Sequence, residues 1–134
     1  MRTESNFLTA IFPANAPTVF RAWLNSREHT AFTGGKASIK PEEGSSFTAW
    51  DGYISGEVLG IEENSRILLS WRTSEFPEDA DDSLVEILFR DSPQGCMFTL
   101  RHSSIPQGDG EKYHKGWQEH YLTPMQTYFS QAIL

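Results

Sequence analysis

Between Phe47 and His102 the chain alternates apolar and polar residues with period two, and each interruption of that alternation is a turn signal. The breaks fall at Asp51-Gly52, at Glu62-Glu63-Asn64-Ser65, between Ser74 and Ser83, and at Ser92-Pro93-Gln94-Gly95. Consecutive hairpins make an antiparallel sheet, and strict alternation leaves one of its faces apolar and in need of a cover. Asp-Gly reads as a two-residue turn with positive φ at both central positions, pairing Trp50 with Tyr53, Ala49 with Ile54 and Phe47 with Gly56. That register turns Phe47, Ala49, Ile54 and Val58 to the core. Ile67, Leu69 and Trp71 follow, then Val85, Ile87 and Phe89, then Phe98, Leu100 and His102.

The cover is the last segment. Projected at about 100° per residue, Gly110 to Leu134 gathers Trp117, Tyr121, Leu122, Met125, Tyr128, Phe129, Ala132 and Ile133 on one side of a single long helix. Pro124 removes one backbone hydrogen bond, so a kink is expected there, with Thr123 capping the second half. Ahead of the sheet, Ser5 to Phe12 reads as a strand closed by Pro13. Pro17 then opens a short helix carrying Val19, Phe20, Trp23 and Leu24, and Ser26 is expected to cap a second through Phe32, ended by Gly34-Gly35. The expected order is β-α-α-β-β-β-β-β-α. This is an α+β chain in which a curved antiparallel sheet wraps a long C-terminal helix, as one domain over residues 1–134.

Composition narrows the function. With 38% apolar and 13% aromatic residues, 134 residues supply one sizeable core and not two. Eleven basic against 18 acidic side chains leave a net charge of −7, which repels phosphate backbones and anionic headgroups, so neither nucleic acid nor a membrane surface is an expected partner. The single cysteine, Cys96, has no internal disulfide partner and reads as a small hydrophobe. No apolar run approaches the ~20 residues that span a bilayer, and the polar start Met1 to Asn6 is unlike a leader, so a cytoplasmic location is expected. There is no Gly-x-Ser-x-Gly elbow, phosphate loop or dinucleotide glycine pattern. His114 and His120 fall on different helix faces, and Glu75 to Asp82 lacks the central glycine and final glutamate of a calcium loop. Neither a metal nor a cofactor is expected.

Six stretches, in order, carry a family resemblance: Val19-Phe20-Arg21-Ala22-Trp23, Phe32-Thr33-Gly34-Gly35, Gly52-Tyr53-Ile54-Ser55-Gly56-Glu57-Val58, Ile67-Leu68-Leu69-Ser70-Trp71-Arg72, Leu100-Arg101-His102-Ser103-Ser104-Ile105-Pro106 and Gly116-Trp117-Gln118-Glu119-His120-Tyr121-Leu122. Together they resemble the heat shock protein 90 ATPase activator branch of the START/birch-pollen-allergen superfamily (SRPBCC), over nearly the whole chain. The resemblance implies a helix-grip fold with a cavity between sheet and C-terminal helix. It implies two partners, a small hydrophobic molecule or a chaperone whose ATPase is regulated in a stress response, for a monomer or weak homodimer. In the eukaryotic activators that name the branch, such a domain forms only the C-terminal part, and a separate N-terminal domain supplies much of the chaperone contact.

The side chains expected to face that cavity are Trp71, Phe89, Phe98, His102, Trp117, Gln118, Tyr121 and Met125. They either pack as a plain core or line a ligand pocket, and the polar members decide which: His102 and Gln118 converge on the cavity, or His102 bonds to a backbone carbonyl while Gln118, in the first turns of the helix, reaches solvent. In a cyclase-like member of the superfamily His102 would be the general base. A lone imidazole without an orienting partner is weak support for that, and the chain reads as non-catalytic. Trp50 and Tyr53, placed on the solvent face of their hairpin beside Phe76 of the acidic loop, suit either a protein contact or a cross-strand pair that steadies the turn.

Overall fold

The computed structural model describes residues 2–131. Six strands form one antiparallel sheet in the order β1-β6-β5-β4-β3-β2, with β1 Thr3–Phe12, β2 Ser46–Ala49, β3 Ile54–Glu62, β4 Arg66–Thr73, β5 Ser83–Ser92 and β6 Gly95–Pro106. All neighbours after β1 are hairpin-connected, as the alternation predicts, and β1 closes the far edge by pairing with β6. Helices α1, Ala16–Trp23, and α2, Ser26–Thr33, lie between β1 and β2. The C-terminal helix runs through α3, Gly110–Trp117, a π-helical turn, Gln118–Leu122, and α4, Thr123–Gln131. Among the described residues no helix is long and apolar enough to cross a membrane.

The inward phase of every strand is as the alternation sets it. Val58, Ile67, Leu69, Val85, Ile87, Phe98 and Leu100 are all buried beneath the C-terminal helix, which contributes Trp117, Tyr121, Leu122, Met125 and Phe129. Ala132 and Ile133 lie outside the described residues.

Three local expectations are corrected. Asn25, not Ser26, caps α2 by accepting from Glu28 N–H at 3.0 Å, while Ser26 Oγ bridges to the backbone of Ile39. Thr123 is helical rather than a cap, because the π turn absorbs the proline. Widening the turn just before Pro124 lets the Thr123 N–H reach Gln118 O and spaces the ring from the carbonyl it would otherwise strike. Finally, the Asp51-Gly52 connection is a four-residue loop. Ala49 pairs with Ile54 and Phe47 with Gly56 as expected, but Trp50 and Tyr53 do not face each other across strands. The loop is tied instead to the chain after α2: Asp51 N–H donates to Lys36 O at 3.0 Å and its carboxylate accepts from Lys36 N–H at 3.2 Å. The result is positive φ at Trp50 (51°), Asp51 (59°) and Gly52 (89°), at a cost of about 1–2 kcal/mol for each of the two side-chain-bearing residues.

The entry of the C-terminal helix is fixed by β1. A register shift between Glu4 and Asn6 turns the Glu4 carboxylate toward the loop before α3, where it accepts from Gly108 N–H at 2.8 Å and Gly110 N–H at 2.7 Å, two donors with no partner inside the helix. Asn6 Nδ2 adds a bond to Gly110 O at 2.9 Å. Glu4→Ala is expected to lower unfolding free energy by about 1–2 kcal/mol in urea titrations, the usual worth of a charged cap. Gly110→Ala, whose new Cβ would stand 2.3 Å from Glu4 Oε1, should cost no more than that, since the carboxylate is the free end of a side chain that can swing aside.

Candidate functional site

Three aromatic residues spaced four apart on the C-terminal helix face the sheet, and each polar atom is fastened to a different element. Tyr113 OH meets Thr73 Oγ1 of β4 at 2.6 Å, Trp117 Nε1–H donates to His102 Nδ1 of β6 at 2.9 Å, and Tyr121 OH lies 2.8 Å from His29 Nε2 of α2. Four-residue spacing puts the three on one face, so the helix is held at three points along its length.

The partners fix the proton positions. Because Trp117 can only donate, His102 Nδ1 is the acceptor and the proton sits on Nε2, which donates to Ser83 Oγ at 2.7 Å. Ser83 passes the chain on to Trp71 O at 2.9 Å. His29 takes the opposite tautomer: its Nδ1–H donates to Trp23 O at 2.8 Å, leaving Nε2 to accept from Tyr121. Burial penalises the imidazolium in both, holding His29 down at about 4 and His102 at about 3. His102 is therefore a fully engaged neutral core histidine with no free lone pair to act as a base, and neither of its partners is a backbone carbonyl.

Between the β2–β3 loop and the helix lies an open groove of about 520 Å³. Trp50, Tyr53 and Ile54 form one wall; Trp71 and Glu75 form the floor and one end; the helix supplies Tyr113, Gly116, Trp117, His120 and Tyr121. Lys112, Lys115 and Glu119 stand on the helical rim. Tyr53 OH and Lys112 Nζ both engage the Glu75 carboxylate, which is held below the usual range by those two donors, the Tyr53 bond first. The rim charges thus neutralise one another, and the interior is almost wholly aromatic.

Of the residues expected to face a cavity, Trp71, Trp117 and Tyr121 line this groove. Phe89, Phe98 and Met125 do not: they are buried in the packed core, Phe98 edge-on to Phe12 and Phe89. Gln118 is exposed: it stands one place past the sheet-facing Trp117, and the π turn that starts there brings Tyr121, Leu122 and Met125 to the sheet instead. Phe76, expected as exposed, is only 6% accessible. Arg72 gathers the acidic loop over it by bonding Asp82, Ala80 O and Pro77 O, and the ring packs on Trp71 and Tyr113. Trp50 and Tyr53 are groove walls rather than a free pair, and Trp50 packs on the His120 ring at 5.4 Å. Tyr113, Gly116 and His29 were not singled out from sequence. Tyr113 belongs to the same four-residue ladder as Trp117 and Tyr121, a signal that was available. Cys96 is buried, its thiol pushed up to about 11 by desolvation.

A long helix gripped by a curved antiparallel sheet, with two short helices after the first strand and an aromatic groove at the helix–sheet seam, defines a helix-grip domain. More particularly, the chain belongs to the family of activator of Hsp90 ATPase homolog 1-like proteins, whose family model matches residues 13–130. It is 25% identical over 120 residues to the activator of 90 kDa heat shock protein ATPase homolog 2 of Mus musculus, covering 90% of this chain and 36% of that protein. To the activator of 90 kDa heat shock protein ATPase homolog of Dictyostelium discoideum it is 22% identical over 128 residues, covering 96% and 33%. The chain spans about a third of the length of these curated relatives. The crystal structure of an HSP90 activator from Plasmodium falciparum superposes with a TM-score of 0.83 at 22% identity, covering 94% of this chain and 96% of that one. CalU16 from Micromonospora echinospora gives 0.79 at 21% identity, covering 98% and 79%. At these identities the structural likeness is one of fold.

The two buried histidines have a measurable consequence. Their folded values lie below the ordinary 6.5, so the unfolded chain takes up protons first as pH falls; stability is full above about pH 6.5 and declines toward their folded values. Unfolding free energy is expected to drop by about 2–3 kcal/mol between about pH 7.5 and 5.5, and His102→Gln should remove about half of that slope. A pH-independent urea midpoint over that range would show that the histidines are not held neutral.

Proposed function

We propose that this domain is a non-catalytic binding module that holds a small, uncharged, ring-bearing molecule in the groove between the β2–β3 loop and the C-terminal helix. The single observation that carries this reading is the lining. Four of the aromatic walls, Tyr53, Tyr113, Trp117 and Tyr121, have their polar atoms committed to protein partners, so they offer ring surface rather than hydrogen bonds. A volume of about 520 Å³ falls within the ~300–1,000 Å³ typical of small-molecule sites. The core beneath is filled by its own side chains, which directs the ligand to the seam and not to the interior. The cytoplasm as compartment, and a monomer or weak homodimer as state, belong to the same proposal.

Kinship supports a second reading, a co-chaperone-like contact. Relatives of this chain are named activators of a 90 kDa heat shock protein ATPase. In that case the groove receives an apolar side chain of the chaperone and alters its rate of ATP hydrolysis.

Gly116 gives a test of both readings. A Cβ added there meets nothing within 4 Å and Gly116 lines the groove, so Gly116→Phe is the substitution chosen to place a ring in that space. The uncharged fluorophore N-phenyl-1-naphthylamine is expected to show saturable enhancement with the wild type and little with Gly116→Phe. Enhancement unchanged by the substitution would place the probe elsewhere and defeat the groove assignment. If the probe does not bind but the domain changes the ATPase rate of a 90 kDa heat shock protein in a Gly116-sensitive way, the second reading replaces the first.

A further inference from the structure

Among the described residues two indole N–H groups are buried without an acceptor, those of Trp23 and Trp50. Trp23 lies in the core, stacked on Tyr121 and Trp117, where no ligand reaches. Trp50 is different in three respects. It is half-buried in the groove wall, its backbone takes a left-handed φ of 51° that bulky residues rarely adopt, and its ring rests on a residue without a side chain. A Cβ on Gly35 would stand 2.6 Å from the Trp50 ring, so only glycine leaves the indole room to lie where it does. The unmet donor is a cost that a change of side-chain position can relieve, while the left-handed backbone, tied in place through Asp51 and Lys36, keeps the residue at the groove wall.

Resting on the groove reading above, we propose that Trp50 is a movable recognition residue. Its indole swings about the Cα–Cβ bond to donate its N–H to an acceptor on the bound molecule, which assigns the ligand class as planar and apolar with a neutral carbonyl-type oxygen. The other aromatic walls supply shape, since the polar atoms of Tyr53, Tyr113, Trp117 and Tyr121 are already engaged with Glu75, Thr73, His102 and His29. Trp50 supplies the polar discrimination. A carboxylate is disfavoured, because the lysines at the rim are each beside an acid, Lys112 by Glu75 at 3.4 Å and Lys115 by Glu119 at 4.0 Å.

The test uses a pair of probes with the same ring system, 2-acetylnaphthalene and 2-ethylnaphthalene, titrated into ¹⁵N-labelled protein. The acetyl compound is expected to bind about fivefold more tightly, the worth of one added neutral hydrogen bond, and to move the Trp50 indole proton downfield. That signal is identified by its contacts with His120, so the wild type alone gives a result. In Trp50→Phe the two affinities should become equal while binding of 2-ethylnaphthalene persists. Equal affinities in the wild type, or a carbonyl preference that survives Trp50→Phe, would overturn the role of Trp50 and leave the groove standing. If neither compound perturbs any groove signal, the groove reading fails and takes this proposal with it.

Discussion

The relay from Trp117 through His102 and Ser83 to the Trp71 carbonyl is the constraint on which the rest of the molecule depends. It places a helix indole, a β6 imidazole, a β5 hydroxyl and a β4 carbonyl in one directed chain of 2.9, 2.7 and 2.9 Å bonds. A wholly buried imidazole is costly unless both nitrogens are matched, and here each match admits only one proton arrangement. The helix is therefore seated with its Trp117 ring in one orientation, and that ring lines the groove where it meets Trp71. The flanking bonds at Tyr113 and Tyr121 fasten the helix above and below it.

The same economy explains why the interior is filled and the seam is open. Large rings of β1, β5, β6 and α4 close the space under the helix, as Phe12, Phe89, Phe98 and Phe129 pack edge-on or tilted at centroid distances of 5.2–5.7 Å. Toward the β2–β3 loop the helix carries Gly116 instead of a large side chain, and the sheet has curved away to its short β2 edge. The space left is walled by aromatic side chains whose polar ends are already engaged.

The alternation of strands was legible because its physics is local: a residue two places along points the same way, whatever lies across the sheet. That is why Phe47, Val58, Leu69, Ile87 and Leu100 could be placed inside, and why the long C-terminal stripe followed. What failed depended on partners distant in sequence. Phe76 sits in an acidic loop and looks exposed until Arg72 folds that loop over it. Gln118 falls on the apolar stripe of an ideal helix only because that projection runs unbroken to the C-terminus; the π turn from Gln118 to Leu122 re-phases the residues after it and leaves Gln118 outside the stripe. The Asp-Gly signal located the turn correctly, but the tie between Asp51 and Lys36 made it a four-residue loop and brought Trp50 over Gly35. At the site, Trp71, Trp117 and Tyr121 were visible as inward-phase aromatics. His29 was not, since one histidine on a short polar helix has no periodic signature.

Membership of the Hsp90 ATPase activator-like family gives this chain its fold, and the side chains of the seam give the fold a specific surface. The account stands on His102 being neutral, protonated at Nε2, and locked between Trp117 and Ser83. The direct measurement is the pair of ¹⁵N shifts of the His102 ring, followed from neutral pH downward in the folded protein. A protonated Nε2 and a bare, hydrogen-bonded Nδ1, unchanged until the protein unfolds in acid, is the predicted result. An imidazolium near neutral pH, or a proton on Nδ1, would mean that Trp117 is not its donor and that the helix side of the groove is not fixed in the way described.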